Sequence, residues 1–246
     1  MFYTSSHIYP HYTKWWIKNR LNRCIFKLEP DCGKTRKEMK YPYLAISGTM
    51  GSGKTTAARL LAKHLKFDLL EENFGENAFL PGFYRDMKRW AFHSQTFFLM
   101  EKITQIFTTQ KSFAKKSIIQ DTPIYQDVFS YARALHVGGN MDDNEWRLYL
   151  KIYRSFMPYL PKPTHIIYLK TSLEVVKSRI SSRARDFEKK VPDGYLELLE
   201  MLNESWMKKE ADGMKIITVE TDRLNLIRNK SDIRNFITIV TNQLRI

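Results

Sequence analysis

The stretch "LAISGTMGSGKTTAARLLAKHL", residues 44–65, decides the fold class. An apolar run, Leu44-Ala45-Ile46, leads into a glycine-rich turn, and a helical pattern of apolar residues follows it. The turn reads Gly48-Thr49-Met50-Gly51-Ser52-Gly53-Lys54-Thr55-Thr56, and its first eight residues fit G-x-x-x-x-G-K-[ST] between a strand and a helix, the context that motif requires. The glycines let backbone N–H groups close around phosphate oxygens, and the helix N-terminus adds a favourable dipole. Lys54 is placed to reach the terminal phosphates and Thr55 to ligate Mg²⁺. A nucleoside triphosphate site over residues 48–56 is therefore expected, with ATP and Mg²⁺ as the bound species.

Working outward, short apolar runs alternate with longer amphipathic segments. "YLAIS" (43–47), "FDLLE" (67–71), "SIIQD" (117–121), "HIIYL" (165–169) and "KIITVE" (215–220) read as strands covered on both faces. Residues 55–65, 86–110, 142–157, 173–185 and 192–209 read as helices. This alternation predicts an α/β fold: a parallel sheet of about five strands with helices on both faces, and ligands gathered at the carboxyl ends of the strands.

The bulk composition narrows the function classes. A chain of 246 residues that is 43% hydrophobic can bury a full core. With 40 basic against 26 acidic residues the net charge is +14, which suits nucleic acid, an anionic membrane surface, a nucleotide, or simply a solvated basic surface. Two cysteines, Cys24 and Cys32, without paired ligands nearby argue against a disulfide framework or structural zinc and fit a cytoplasmic protein. No apolar run is long enough to span a membrane, and no signal-peptide pattern opens the chain. Residues 1–38 mix aromatics with Lys14, Lys18, Arg20, Arg23 and Lys27 and read as a basic, disordered extension ahead of a domain at 39–246. As an aromatic-bearing basic arm, the extension is also the sole support for nucleic-acid binding.

Two further stretches select among phosphate-loop proteins. "LLEENFGENAFLPGFYRDMKRWAFHSQTFFLMEK" (69–102) carries a carboxylate after the second strand, then N-x-F-L-x-x-F-Y-x-D, then R-W-x-F-x-x-Q. "RISSRARDFEKKVPDGYLELLEMLNESW" (179–206) carries R-x-x-x-R-x-R-x-x-E and the helix that follows. In these motifs and their order the chain, from residue 41 onward, resembles the deoxynucleoside kinase family.

The resemblance implies an ATP-dependent enzyme that phosphorylates the 5′-hydroxyl of deoxynucleosides, with a helical arginine-rich lid. It implies Glu72 as the base that takes the hydroxyl proton, and Arg179, Arg183 and Arg185 as lid cations facing the transferring phosphoryl group, where arginine's planar fork suits phosphate. By the same carry-over Gln95 reads the base, Tyr84 and Glu188 hold the sugar 3′-hydroxyl, and Phe79, Trp90, Phe98 and Phe129 enclose the base. Asp121 holds Mg²⁺ together with Thr55. Asp127 and Lys102 complete the base pocket, where Asp127, read as an acceptor, favours deoxyadenosine and deoxycytidine, leaves deoxyguanosine variable and disfavours thymidine. A homodimer is also implied.

One departure stands out: Asp121 is followed by Thr122-Pro123, where the family commonly has arginine then serine. A lid arginine or Lys102 is expected to compensate. The alternatives are another phosphotransferase of the same loop class, acting on nucleoside monophosphates or polynucleotide 5′-ends, and a nucleotide-dependent nucleic-acid binder. Glu72, Asp121 and the lid together argue for the enzyme, and nucleic acid is not expected as a partner.

Overall fold

The computed structural model describes residues 41–72, 74–182, 191–209, 211 and 213–244, all within the unit 34–246. The basic extension and most of the arginine-rich lid, including Arg183, Arg185 and Glu188, lie outside the described residues.

Five parallel strands form the sheet: β1 (Tyr43–Ser47), β2 (Asp68–Leu70), β3 (Ile118–Asp121), β4 (His165–Lys170) and β5 (Lys215–Glu220), in the order β2-β3-β1-β4-β5. β1 lies at the centre, Ile46 paired with Asp121 on one side and Ile167 on the other. Every residue of β1 is buried, which is why its sequence is apolar without alternation. β5 departs from the expectation of double cover. As an edge strand it buries only Ile217 and Val219, in alternation with exposed neighbours.

The helices follow the amphipathic segments closely. α1 (Lys54–Leu65) leaves the phosphate loop, and α2 (Leu80–Arg85) precedes α3 (Met87–Thr108), with a short α4 (Gln110–Phe113) after it. After β3, α5 (Ile124–Gln126) runs into a π-helical segment, Asp127–Ala132, and then α6 (Arg133–Val137). α7 (Asp143–Phe156), α8 (Leu173–Ser181), α9 (Asp193–Lys209) and α10 (Lys230–Leu244) complete the order. α1 and α10 cover the sheet together: Ala57, Ala58 and Leu61 share one core cluster with Phe236, Val240 and Leu244 and with Leu44, Ile46, Ile119 and Ile167. α3 and α9 pack against the π-helical segment.

Two family-motif residues prove to be architectural. Asp86 caps α3, its side chain accepting from the Arg89 N–H at 3.1 Å. Asn77 donates to the Ser94 hydroxyl at 3.1 Å and accepts from the Phe79 N–H, so the loop before α2 is tied to α3. The buried face of α3 carries Ser94, Gln95 and Lys102 among its apolar residues, a polar stripe that an ordinary core helix would not tolerate without partners.

Candidate active site

A cavity with about 800 Å³ of empty space, its open mouth included, lies at the carboxyl ends of the strands. Gly51, Gly53, Lys54 and Thr55 of the phosphate loop line it together with Glu72, Gln95 and Asp127. The loop is packed closely. A Cβ on Gly48 would come within 2.5 Å of Ser52 Oγ and 2.9 Å of the Leu169 carbonyl, and Gly51 sits at φ +86° against Ile180. Lys54 Nζ donates to the carbonyls of Gly48 (2.9 Å) and Thr49 (3.2 Å) and to Tyr131 Oη (3.3 Å). The Thr49 side chain is engaged away from the loop, donating to Glu200 and accepting from Asn203 Nδ2.

Thr55 and Asp121 meet, the hydroxyl donating to Oδ2 at 2.6 Å. One hydroxyl and one carboxylate beside a phosphate cradle fit Mg²⁺, which takes few protein oxygens and completes its shell with water and phosphate. Among the described residues no group of three or more His, Cys, Asp or Glu could hold a metal ion. Thr122 follows at φ 63°, an uncommon conformation for a β-branched residue, with its N–H on the Ile46 carbonyl and its hydroxyl 3.3 Å from Asp121 Oδ1. The buried Thr122 thus turns toward Asp121.

Lys102 on α3 brings a cation between two carboxylates of the cavity. Lys102 Nζ donates to Glu72 Oε1 at 2.6 Å and lies 3.4 Å from Asp127 Oδ2, with all three side chains nearly excluded from solvent. One ammonium balances one of these carboxylates, and the second has reason to keep its proton. Burial away from water pushes Asp127 up to about 8, and Glu72 adds to the rise while Lys102 opposes it. Burial lowers Lys102, but the attraction of Asp127 and Glu72 outweighs this and holds it above its ordinary value. Asp127 lines the cavity, while its Oδ2, buried 3.4 Å from Lys102 Nζ, takes no hydrogen bond.

Of the aromatics named from sequence, Phe98 lines the cavity, as does Tyr84, whose hydroxyl points to Met50 Sδ at 3.6 Å. Trp90, Phe79 and Phe129 do not line it. Trp90 stacks on Phe79 and lies over Gly82, and Phe129 meets Tyr153 edge-on, so in this structure all three are packing residues. Two lining tyrosines were not anticipated, Tyr131 and Tyr195. The π-helical turn presents Tyr131 beside Asp127, and such turns recur at functional sites. Tyr131 lies four residues after Asp127, about one turn on, and that spacing on the helix expected after the third strand is the signal that could have found it.

Arg179 also departs from its expected place. Its guanidinium donates to the Ser52 carbonyl (3.0 Å), the Thr221 carbonyl (2.7 Å) and the Leu224 carbonyl (3.2 Å), tying the phosphate loop to the segment after β5 rather than facing the cavity. Arg179 stands in the last turn of α8, from which its guanidinium reaches part-buried carbonyls beyond the helix.

Residues 44–245 match the family model "Deoxynucleoside kinase". A deoxyguanosine kinase of Bacillus subtilis (strain 168) is 37% identical over 196 residues, 78% of this chain and 92% of the relative. A deoxyadenosine/deoxycytidine kinase of the same organism is 30% identical over 202 residues, 80% and 91% of the two chains. In fold, the chain superposes with a TM-score of 0.69 on a solved structure of deoxyadenosine kinase from M. mycoides with bound dCTP, at 24% identity and covering 82% of this chain and 98% of that one. The family match and the extent of both alignments, on a five-stranded parallel sheet with its phosphate loop at the cavity, establish that the chain belongs to the deoxynucleoside kinase family and is a phosphotransferase that phosphorylates deoxynucleosides.

Proposed function

We propose that this cavity carries out the transfer with Glu72 as the base and ATP as the donor. The observation that carries the reading is a shared space: Lys54 and Thr55 line the same cavity as Glu72, Gln95 and Asp127. In this reading Glu72 takes the proton of the 5′-hydroxyl as that oxygen bonds to the γ-phosphorus, the β–γ bridging bond breaks, and ADP leaves. Lys54 neutralises charge on the transferring group. Thr55 and Asp121 would hold Mg²⁺, which would supply charge neutralisation and orientation of the phosphates. Arg183 and Arg185 remain proposed lid cations, and Glu188 with Tyr84 the proposed sugar contacts. Lys102 takes over the supporting cation's task at Glu72. Transfer of radiolabel from ATP to a panel of deoxynucleosides tests the reading, and label appearing only on monophosphates or polynucleotide ends would overturn it.

Base choice follows from the protonation of Asp127. Below about pH 8 the side chain keeps its proton and donates as well as accepts; above it, the carboxylate only accepts. The proton admits a guanine O6 carbonyl at the position where an adenine N6 or cytosine N4 amine would otherwise be required. We therefore include deoxyguanosine with deoxyadenosine and deoxycytidine, which agrees with the names of the relatives. The ratio of kcat/KM for deoxyguanosine to that for deoxyadenosine should fall as pH rises through about 8. Because the folded pKa exceeds the usual aspartate value near 3.9, the same proton favours the folded state at low pH and that contribution declines between about pH 4 and pH 8. Thymidine as the best substrate on both sides of that range would remove Asp127 and Gln95 from base reading.

A homodimer is proposed as well. Met100 and Phe107 on α3 and Leu148 on α7 are exposed, and α3 packs against α7, so the pair of helices offers an apolar face. Light scattering on the eluted protein should give twice the chain mass, and Phe107→Glu should shift it to one; a monomeric native protein would refute the proposal. No described helix is long and apolar enough to cross a membrane. A cytoplasmic site of action, a separate role for residues 1–38 and independence from nucleic acid are proposals from the sequence.

A further inference from the structure

Gln126 takes no part in any sequence motif, yet its carboxamide is fully buried at the entrance to the phosphate loop. Its Oε1 accepts from the Ser47 hydroxyl at 2.9 Å and from the Gly48 N–H at 3.3 Å, and its Nε2 donates to the Gly48 carbonyl at 2.6 Å. Gly48 presents one donor and one acceptor, and an amide is the side chain that answers both in one plane; a carboxylate of the same size has only acceptors.

The Gly48 carbonyl has a second donor, Lys54 Nζ at 2.9 Å. The three donors of the Lys54 ammonium are engaged on the Gly48 carbonyl, the Thr49 carbonyl and Tyr131 Oη, so donating to more than one phosphate oxygen takes it off a loop carbonyl. A buried carbonyl left without a donor is costly, and that cost would hold the ammonium back. Gln126 remains on the Gly48 carbonyl after Lys54 has left it. Its place in the chain matters too, because α5 and the π-helical segment carry Gln126 next to Asp127 and five residues after Asp121. The first turn of the loop is thereby fastened to the segment that holds the acceptor side of the cavity.

We infer that Gln126 is a positioning residue for the phosphate loop, keeping the Gly48 carbonyl satisfied while Lys54 exchanges loop oxygens for phosphate. The inference rests on the phosphate-loop reading of residues 48–55. Its test compares Gln126→Glu, Gln126→Leu and Lys54→Ala in steady-state kinetics with Mg²⁺-ATP and deoxyadenosine varied in turn, with circular dichroism to confirm folding. Gln126→Glu retains the acceptor contacts to Ser47 and the Gly48 N–H, replaces the donation to the Gly48 carbonyl with a facing acceptor oxygen and adds a buried charge; Gln126→Leu removes all of the contacts. Both variants should raise the KM for ATP by roughly tenfold or more while leaving the KM for deoxyadenosine in place, with Gln126→Leu the more severe. An unchanged KM for ATP in Gln126→Glu, or equal losses toward both substrates, would overturn the inference. So would failure of both variants to fold, since that would make Gln126 a structural anchor alone. If only Gln126→Leu fails to fold, Gln126→Glu decides the matter. An active Lys54→Ala enzyme would instead overturn the loop reading, whereas an inactive one beside an unimpaired Gln126→Glu would sink only the role of Gln126.

Discussion

Glu72→Gln is expected to lower kcat by about two to four orders of magnitude, the range that general-base catalysis contributes, with a much smaller change in KM. The amide keeps an oxygen where Lys102 donates at 2.6 Å and still contacts the sugar, but it cannot take the hydroxyl proton. Burial of the pair separates this effect from a surface mutation: Glu72's side chain is 9% exposed, so bulk water is poorly placed to act as a substitute base. With the charge of Glu72 gone, one cause of the rise at Asp127 is removed and Lys102 favours Asp127 as a carboxylate, so the buried charges stay balanced and the folded protein should tolerate the change. Initial rates at saturating ATP over a range of deoxynucleoside concentrations check this, and an undiminished kcat would take Glu72 out of the mechanism.

Lys54→Ala should reduce transfer by on the order of a hundredfold or more, the scale of a preorganised electrostatic contact aimed at developing charge. Its partners in the structure are loop carbonyls and a tyrosine hydroxyl, and Gln126 still serves the Gly48 carbonyl when the lysine is removed. Melting should consequently change little while turnover collapses. Near-normal turnover in the purified variant would refute the phosphate-loop assignment.

The phosphate loop was legible because it is a local device. Its glycines, its lysine and its hydroxyl act within one turn and one helix end, so a contiguous string of residues contains the whole physical argument. The strands were legible for a related reason: double cover imposes apolar runs on the central strands, whereas the edge position of β5, read as doubly covered, emerged only from the burial pattern of the fold. α10 escaped the reading, although its apolar residues Phe236, Val240 and Leu244 recur at helical spacing in the core.

What the sequence by itself determined, then, is the chemistry available: a triphosphate cradle, an α/β sheet with its ligands at one end, and motifs that place the chain in a kinase family. Tertiary structure alone decided how the side chains named from sequence sit relative to one another. Glu72, Lys102 and Asp127 come from three separate elements, and only their convergence leaves one ammonium between two buried carboxylates and a proton on Asp127 to about pH 8. The orientation of Arg179 toward the carbonyls of Ser52, Thr221 and Leu224, and the packing of Trp90 and Phe129 away from the cavity, depend likewise on neighbours distant in the chain. Desolvation and charge balance are properties of the space around a group, and that space exists only once the chain has folded.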